Sequence, residues 1–334
     1  MRVLAAAVVV AACLASCTRR PVLPEGMAVY VDIDAEYPAG EKIPELYRVF
    51  FYSQSTGKAV VSDFVPTQGG EMHLPAGSYR YFIYNFDLES TMLEDLETGS
   101  SVRAYTSVAQ GVTAAFREMV TNHDILAGAG GTKGGEVDYG TGDPVRYSPD
   151  RLFVATGDVT VGHRSVEDEY IVIEAFADDV LPRLDLTVKG LRGLQYVSAV
   201  SAYITGMSDS MFPVTGKPSD SGAVFYIDCR YEADSSWFAG GCMTFGTLAR
   251  EAYLEGGRRC VAYVVVTDLI GGQYVYAEDV TDQVLACLAA GVTVDVNLQL
   301  VFDFEVPPVK EDGGGGFSPS LDDWHEEEVP VPIG

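Results

Sequence analysis

The chain has 334 residues, of which 47% are hydrophobic, 11% aromatic and 21% charged. This composition is globular, rules out intrinsic disorder or collagen-like repetition for the bulk, and suggests about two domains. With 22 Lys and Arg against 48 Asp and Glu the formal net charge is −26, which argues against a nucleic-acid binder because phosphate contacts need a basic patch.

Residues 1–17 read MRVLAAAVVVAACLASC. One positive charge at Arg2, an apolar run from Val3 to Cys13 and then small residues make the layout of an export signal. The run is too short to span a bilayer. Leu14-Ala15-Ser16-Cys17 resembles the bacterial lipobox, in which the cut falls between Ser16 and Cys17 and the cysteine is acylated as the first mature residue. The expected division is a signal peptide over 1–16, an anchor segment over 17–26 and membrane attachment through lipid alone, since no other stretch reaches 18 uncharged apolar residues. The expected location is the outer membrane, with the cell surface preferred to the periplasmic face. Thr18, Arg19 and Arg20 depart from the acidic residues that surface-exported lipoproteins of some anaerobes carry there.

From Met27 to Val306 the chain reads as all-β: short runs rich in Val, Tyr, Phe, Ile and Thr, separated by Gly, Pro, Asp and Asn. Strands are expected at Met27 to Asp34, Tyr47 to Tyr52, Ser78 to Phe86, Tyr170 to Phe176, Arg183 to Lys189, Tyr196 to Thr205, Ala223 to Cys229, Cys260 to Thr267 and Gln273 to Ala277. Seven glycines between Gly128 and Gly142 read as a long flexible loop inside the first domain, because Leu152 to Val161 again reads as strand. The domain boundary is expected near 164–168, giving sandwiches over 27–165 and 166–306. One helix is expected from Thr281 to Ala290, with Asp279 or Thr281 as its N-cap and Gly291 as its stop. Val292, Val294, Val296, Leu298, Leu300, Phe302, Phe304 and Val306 then alternate with mostly polar residues, a strand long enough to predict a bulge or bend near Val301. The tail, 307–334, is acidic with a spacer at Gly313 to Gly316. In it Phe317, Leu321, Trp324, Val331 and Ile333 form a candidate partner-contact or self-complementing strand.

Little in the sequence points to catalysis. His73, His123, His163 and His325 are far apart and show no metal-ligand spacing. The glycine cluster completes neither a phosphate loop nor a dinucleotide fingerprint, and no Gly-x-Ser-x-Gly elbow is present. No catalytic residue, metal or cofactor is therefore assigned. Asp32 and Asp34 share a strand face and read as solvated carboxylates. Cys229, Cys242, Cys260 and Cys287 permit two disulfides with three connectivities, or buried free thiols, and the pairing stays open. Tyr79 and Tyr81 share one strand face, and Phe82 and Tyr84 the other. Such aromatics either stack on sugars or simply fill a core, and the first reading suits the alternative function, a glycan- or host-ligand-binding surface lipoprotein. Asp209-Ser210-Met211 resembles a three-residue O-glycosylation site used in some anaerobes.

Gly69-Gly70-Glu71-Met72-His73-Leu74-Pro75-Ala76-Gly77-Ser78-Tyr79, followed by Ile83-Tyr84-Asn85, resembles the fimbrillin-like lipoproteins, anchors and minor subunits of the type V pili of Gram-negative gut and oral anaerobes. Further likeness runs through Leu186 to Leu194, Tyr203 to Met207, Thr244 to Leu248, Asp279 to Val284 and Gly316-Phe317 through Asp323-Trp324, and is nearest to a subgroup known only as a domain of unknown function. The resemblance implies two tandem transthyretin-like, Greek-key β-sandwiches with one short helix. It also implies fimbrillin-like protein subunits as partners, met through β-strand edges, and a lipid-anchored, non-enzymatic role in anchoring, capping or decorating a fimbria-like assembly. Structural pilins of this class are matured by an arginine-directed cut. Arg103 and Arg117 stand in suitable segments here, without a distinctive cleavage site.

Overall fold

The structure, a computed structural model, describes residues 26–122, 126–127, 138–162, 171–233, 236–288 and 295–308. The described part opens with β1 (Met27–Asp34), β2 (Leu46–Ser53), β3 (Ala59–Pro66), β4 (Gly70–Leu74) and β5 (Gly77–Asn85). It then leaves this unit for β6 (Thr91–Glu94), β7 (Arg103–Thr106), α1 (Gln110–Asn122), β8 (Leu126–Ala127) and β9 (Val145–Arg146), and returns as β10 (Phe153–Val161), β11 (Ile171–Phe176) and β12 (Asp178–Asp179).

Period-2 patterning builds the first sandwich. One sheet has the order β11-β1-β4 and the other β12-β10-β5-β2-β3. Met27, Val29, Val31 and Ile33 of β1 face Tyr47, Val49 and Phe51 of β2 and Tyr79, Tyr81 and Ile83 of β5 in one apolar cluster. Each such side chain, fully buried, contributes about 1.5–3 kcal/mol. The Pro75-Ala76 corner carries the chain from β4 in one sheet to β5 in the other, and Tyr79 donates its hydroxyl to the Pro75 carbonyl at 2.9 Å.

Strand β11 lies parallel to β1, with Val29 opposite Ile171 and Asp34 opposite Phe176, and Ile173 and Ala175 enter the first core. The expected boundary at 164–168 therefore falls ahead of a strand that belongs to the first sandwich. The sheets change over between Asp179 and Arg183. Parallel pairing with the first strand of the chain leaves no local mark in the sequence.

The second unit comprises β13 (Arg183–Arg192), β14 (Val197–Ser208), β15 (Ser210–Phe212), β16 (Lys217–Pro218), β17 (Gly222–Glu232), β18 (Trp237–Met243), α2 (Arg250–Leu254), β19 (Val261–Asp268), β20 (Gln273–Asp279), α3 (Thr281–Leu288) and β21 (Val296–Glu305). Its main sheet runs β21-β13-β18-β17-β14-β19-β20-β8, with β9 also on β17. β17 leaves β14 beyond Cys229 and pairs β18 through Arg230, Tyr231 and Glu232, so one strand serves both layers. Leu184, Leu186 and Val188 of β13, Val200, Ala202 and Ile204 of β14, and Leu298 and Leu300 of β21 share the core between them.

The excursion between β5 and β10 crosses onto this second unit. β7 pairs β15, β8 pairs β20 and β9 pairs β17, while Phe116 and Met119 of α1 pack on Tyr203, Val224, Tyr263 and Val275. Arg146 meets Asp209 at 3.2 Å, and Arg258 bridges Asp138 and Asp143. One apolar cluster also runs from Phe50, Tyr52, Phe82 and Tyr84 on the outer face of the first sandwich through Val102 and Ala104 into Leu181, Met211 and Phe245. The expected single helix is present as α3, whose first turn is closed by Asp279 accepting the Thr281 N–H at 3.0 Å, but α1 and α2 accompany it. No described helix is long and apolar enough to cross a membrane.

Candidate strand-edge interface

Several expected site residues lie outside the described residues: Ser16 and Cys17 at the start, and Phe317, Leu321, Trp324, Val331 and Ile333 in the tail. Most of the glycine-rich loop and three of the histidines, His123, His163 and His325, do so too. Cys229, Cys242, Cys260 and Cys287 are described, and all four are free thiols. Burial, with Asp228 nearby, pushes the Cys229 thiol up to about 12. Cys242 is likewise raised by burial to about 12, and Cys260, whose Sγ lies 2.9 Å from the Thr205 carbonyl, is raised as well. These three behave as small apolar groups and not as nucleophiles.

The aromatic stripe does not form a sugar platform. Tyr79, Tyr81, Phe82 and Tyr84 are all buried, on the two faces of β5. Ser210, in the segment that resembles an O-glycosylation site, is fully buried and donates to Asp209 at 2.7 Å. Asp32 and Asp34 are exposed along β1, and no cluster of metal ligands occurs among the described residues. Arg103 is paired with Glu94 at 2.6 Å inside a sheet, and Arg117 sits on α1.

A cavity of about 310 Å³ between the two units is lined by Glu41, Lys42, Asp87, Asp150, Arg151 and Arg183. Its charges are engaged in holding the chain. Arg151 bridges Glu41 and Asp179, and Lys42 lies 3.9 Å from Asp87. Asp150 Oδ2 accepts the N–H groups of Glu89, Ser90 and Thr91 at 2.8, 2.6 and 2.9 Å. Burial pushes this carboxyl up, but those N–H groups outweigh it and hold Asp150 below the usual carboxylate range. The group fixes the start of the excursion, and its shift has a structural cause.

Two long strands end sheets, and they are treated differently. β3 is the outer strand of the first sandwich, paired only with β2. Its Lys58 end is closed by Ala59 N–H donating to the Glu97 carbonyl at 3.0 Å, and its other end stops at Pro66. Between them Val60 and Phe64 are 47% and 41% exposed. Phe64 stands edge-on to the exposed Phe86, with centroids 4.6 Å apart, under the guanidinium of Arg48 at 4.2 Å. An exposed apolar outer strand invites a further strand, and the side chains on one face select it.

β21, the outer strand of the second unit, is guarded. Gln283 of α3 donates from Nε2 to the Gln299 carbonyl at 3.1 Å and accepts the Gln299 N–H on Oε1 at 2.9 Å. A primary amide thus takes the two positions a neighbouring strand would use. Asn297, Gln299, Asp303 and Glu305 supply polar and charged side chains along the same strand, a common way of blunting an edge. The expected bulge is present: the register with β13 shifts between Lys189–Val301 and Leu191–Phe304. Gly190 makes room for it, at φ +81°, where a Cβ would lie 1.9 Å from the Phe302 carbonyl oxygen.

This mostly β fold agrees with the resemblance to the fimbrillin-like proteins carried by the sequence. The chain belongs to the family described as a domain of unknown function (DUF5119), whose sequence model matches residues 16–228. A Bacteroides ovatus protein named "Putative fimbrium anchoring subunit Fim4B" is 24% identical over 343 residues, covering 96% of this chain and 95% of that one. Among solved structures, a "putative adhesin" from Bacteroides ovatus superposes with a TM-score of 0.57 at 20% identity, covering 87% of this chain and 98% of that chain. The fimbrial anchor protein Mfa2 from Porphyromonas gingivalis gives a TM-score of 0.49 at 14% identity, over 83% of this chain and 90% of that one.

Proposed function

We propose that this protein is a lipid-anchored, non-enzymatic envelope protein that anchors, caps or decorates a fimbria-like assembly, and that β3 is the strand edge its protein partner adds to. The observation that carries the reading is the contrast between the two longest sheet-end strands: β21 is plugged by Gln283, whereas β3 presents Val60 and Phe64 beside Phe86 and Arg48. The near full-length match to a relative named for fimbrium anchoring supports the same role and an envelope location. Attachment runs through Cys17, with Ser16 on the other side of the cut, and residues 17–26 link the lipid to β1. The buried aromatics of β5 remove the feature that favoured glycan binding.

The test is recovery of the detergent-solubilised protein from its own envelope with mass spectrometry of what accompanies it. Fimbrillin-like subunits should co-purify. Recovery of the protein alone would refute the assembly role, and a Cys17→Ala chain that stayed in the membrane fraction at wild-type level would refute the lipid anchor.

A further inference from the structure

Where β17 leaves β14 for β18, a cleft of about 720 Å³ opens at the end of the second unit, next to the point where β21 ends. The last pair between the two strands is Val200 with Cys229. Beyond it Val197 and Ala199 pair only with β19, and Arg230 to Glu232 only with β18. Two short strand edges therefore face each other across a slot whose walls include Leu194, Val197, Val200, Cys229 and Phe238. These edges are open to solvent beside the buried Val200, Cys229 and Phe238, an arrangement to which a further strand can add.

We propose that the slot receives the chain's own C-terminal segment, Val329–Ile333. β21 runs parallel to β13 and delivers the chain to this end of the molecule, where the Val306 N–H donates to the Arg192 carbonyl at 3.0 Å, two residues before Leu194 on the slot's wall. The 26 residues from Val309 to Gly334, four of them the consecutive glycines Gly313 to Gly316, are ample length for a return. Val329, Val331 and Ile333 alternate with Pro330 and Pro332. Such a strand offers three apolar side chains to one face and N–H groups along one edge only, so it can add to a single strand and cannot propagate a sheet. Glu326, Glu327 and Glu328 precede it, and the exposed Arg230 stands at the slot with the opposite charge. A simpler return of the tail along the outer edge of β21 is obstructed at Gln299 by Gln283.

The test is amide hydrogen exchange on the full chain and on a chain ending at Glu328, each at two protein concentrations a hundredfold apart. With the tail in place, the amides of 197–199 and 230–232 should exchange roughly tenfold more slowly than in the shortened chain, equally at both concentrations. The shortened chain should keep the exchange pattern of β1, β2 and β5, which shows that it folds. Equal exchange of the slot amides in the two chains would overturn the proposal. Protection that appears only at the higher concentration would overturn it too, since the occupant would then be a second copy.

Discussion

The two longest sheet-end strands among the described residues, β3 and β21, differ in how they meet water. β21 carries an alternating polar face, a bulge and a side-chain amide set on its exposed peptide group, while β3 offers Val60 and Phe64 with only Asp63, which accepts the Phe64 N–H at 2.8 Å, as a local guard. A protein that simply avoided association would blunt both edges. Guarding β21 and leaving β3 open favours strand addition at β3 over β21.

The largest expected effect breaks the guarded edge. Gly190→Ala places a Cβ on the Phe302 carbonyl at a positive φ, and should cost about 3 kcal/mol in urea unfolding, with exchange of β21 amides accelerated ahead of the first sandwich. Next comes the loop that closes β3, which belongs to the excursion whose start Asp150 holds. Asp150→Ala should cost about 2 kcal/mol by loss of three charge-assisted bonds. Because the folded carboxyl is held low, the Asp150 contribution is complete above the unfolded value near 4 and is lost as pH falls through the folded value. The wild type should therefore lose stability on acidification more steeply than Asp150→Asn, measured by thermal unfolding across that range. Gln283→Ala, on an exposed surface, should cost only about 1 kcal/mol, yet should raise self-association in sedimentation by freeing the Gln299 peptide group. Phe64→Lys should change stability by less than about 0.5 kcal/mol while abolishing partner recovery.

The contrast between the edges was only half legible in the sequence. The period-2 run ending at Val306 announced β21 and its bulge, because one buried face imposes strict alternation and a strand of that length cannot stay straight. The role of Gln283 was hidden: a glutamine on a helix carries no sign of the backbone it will meet across a turn. Helix α1 did leave a trace, since Val112, Phe116, Met119 and Val120 recur at helical spacing. Gly111 and the β-branched Val112, Thr113, Val120 and Thr121, with no acidic residue in the first turn, masked it. The crossing of 91–147 onto the second unit and the docking of β11 beside β1 rest on pairings between distant segments, for which a single sequence holds no local signal. Alternation divides the aromatics of β5 between two faces, and burial of both faces makes them core.

The most direct test of the account is recovery of envelope partners by three forms of the full chain: wild type, Phe64→Lys on the open edge, and Val301→Lys on the guarded one, where Val301 is already 71% exposed. The account predicts that fimbrillin-like subunits accompany the wild type and Val301→Lys equally and are lost from Phe64→Lys. Loss from Val301→Lys with retention by Phe64→Lys, or retention by both, would contradict it.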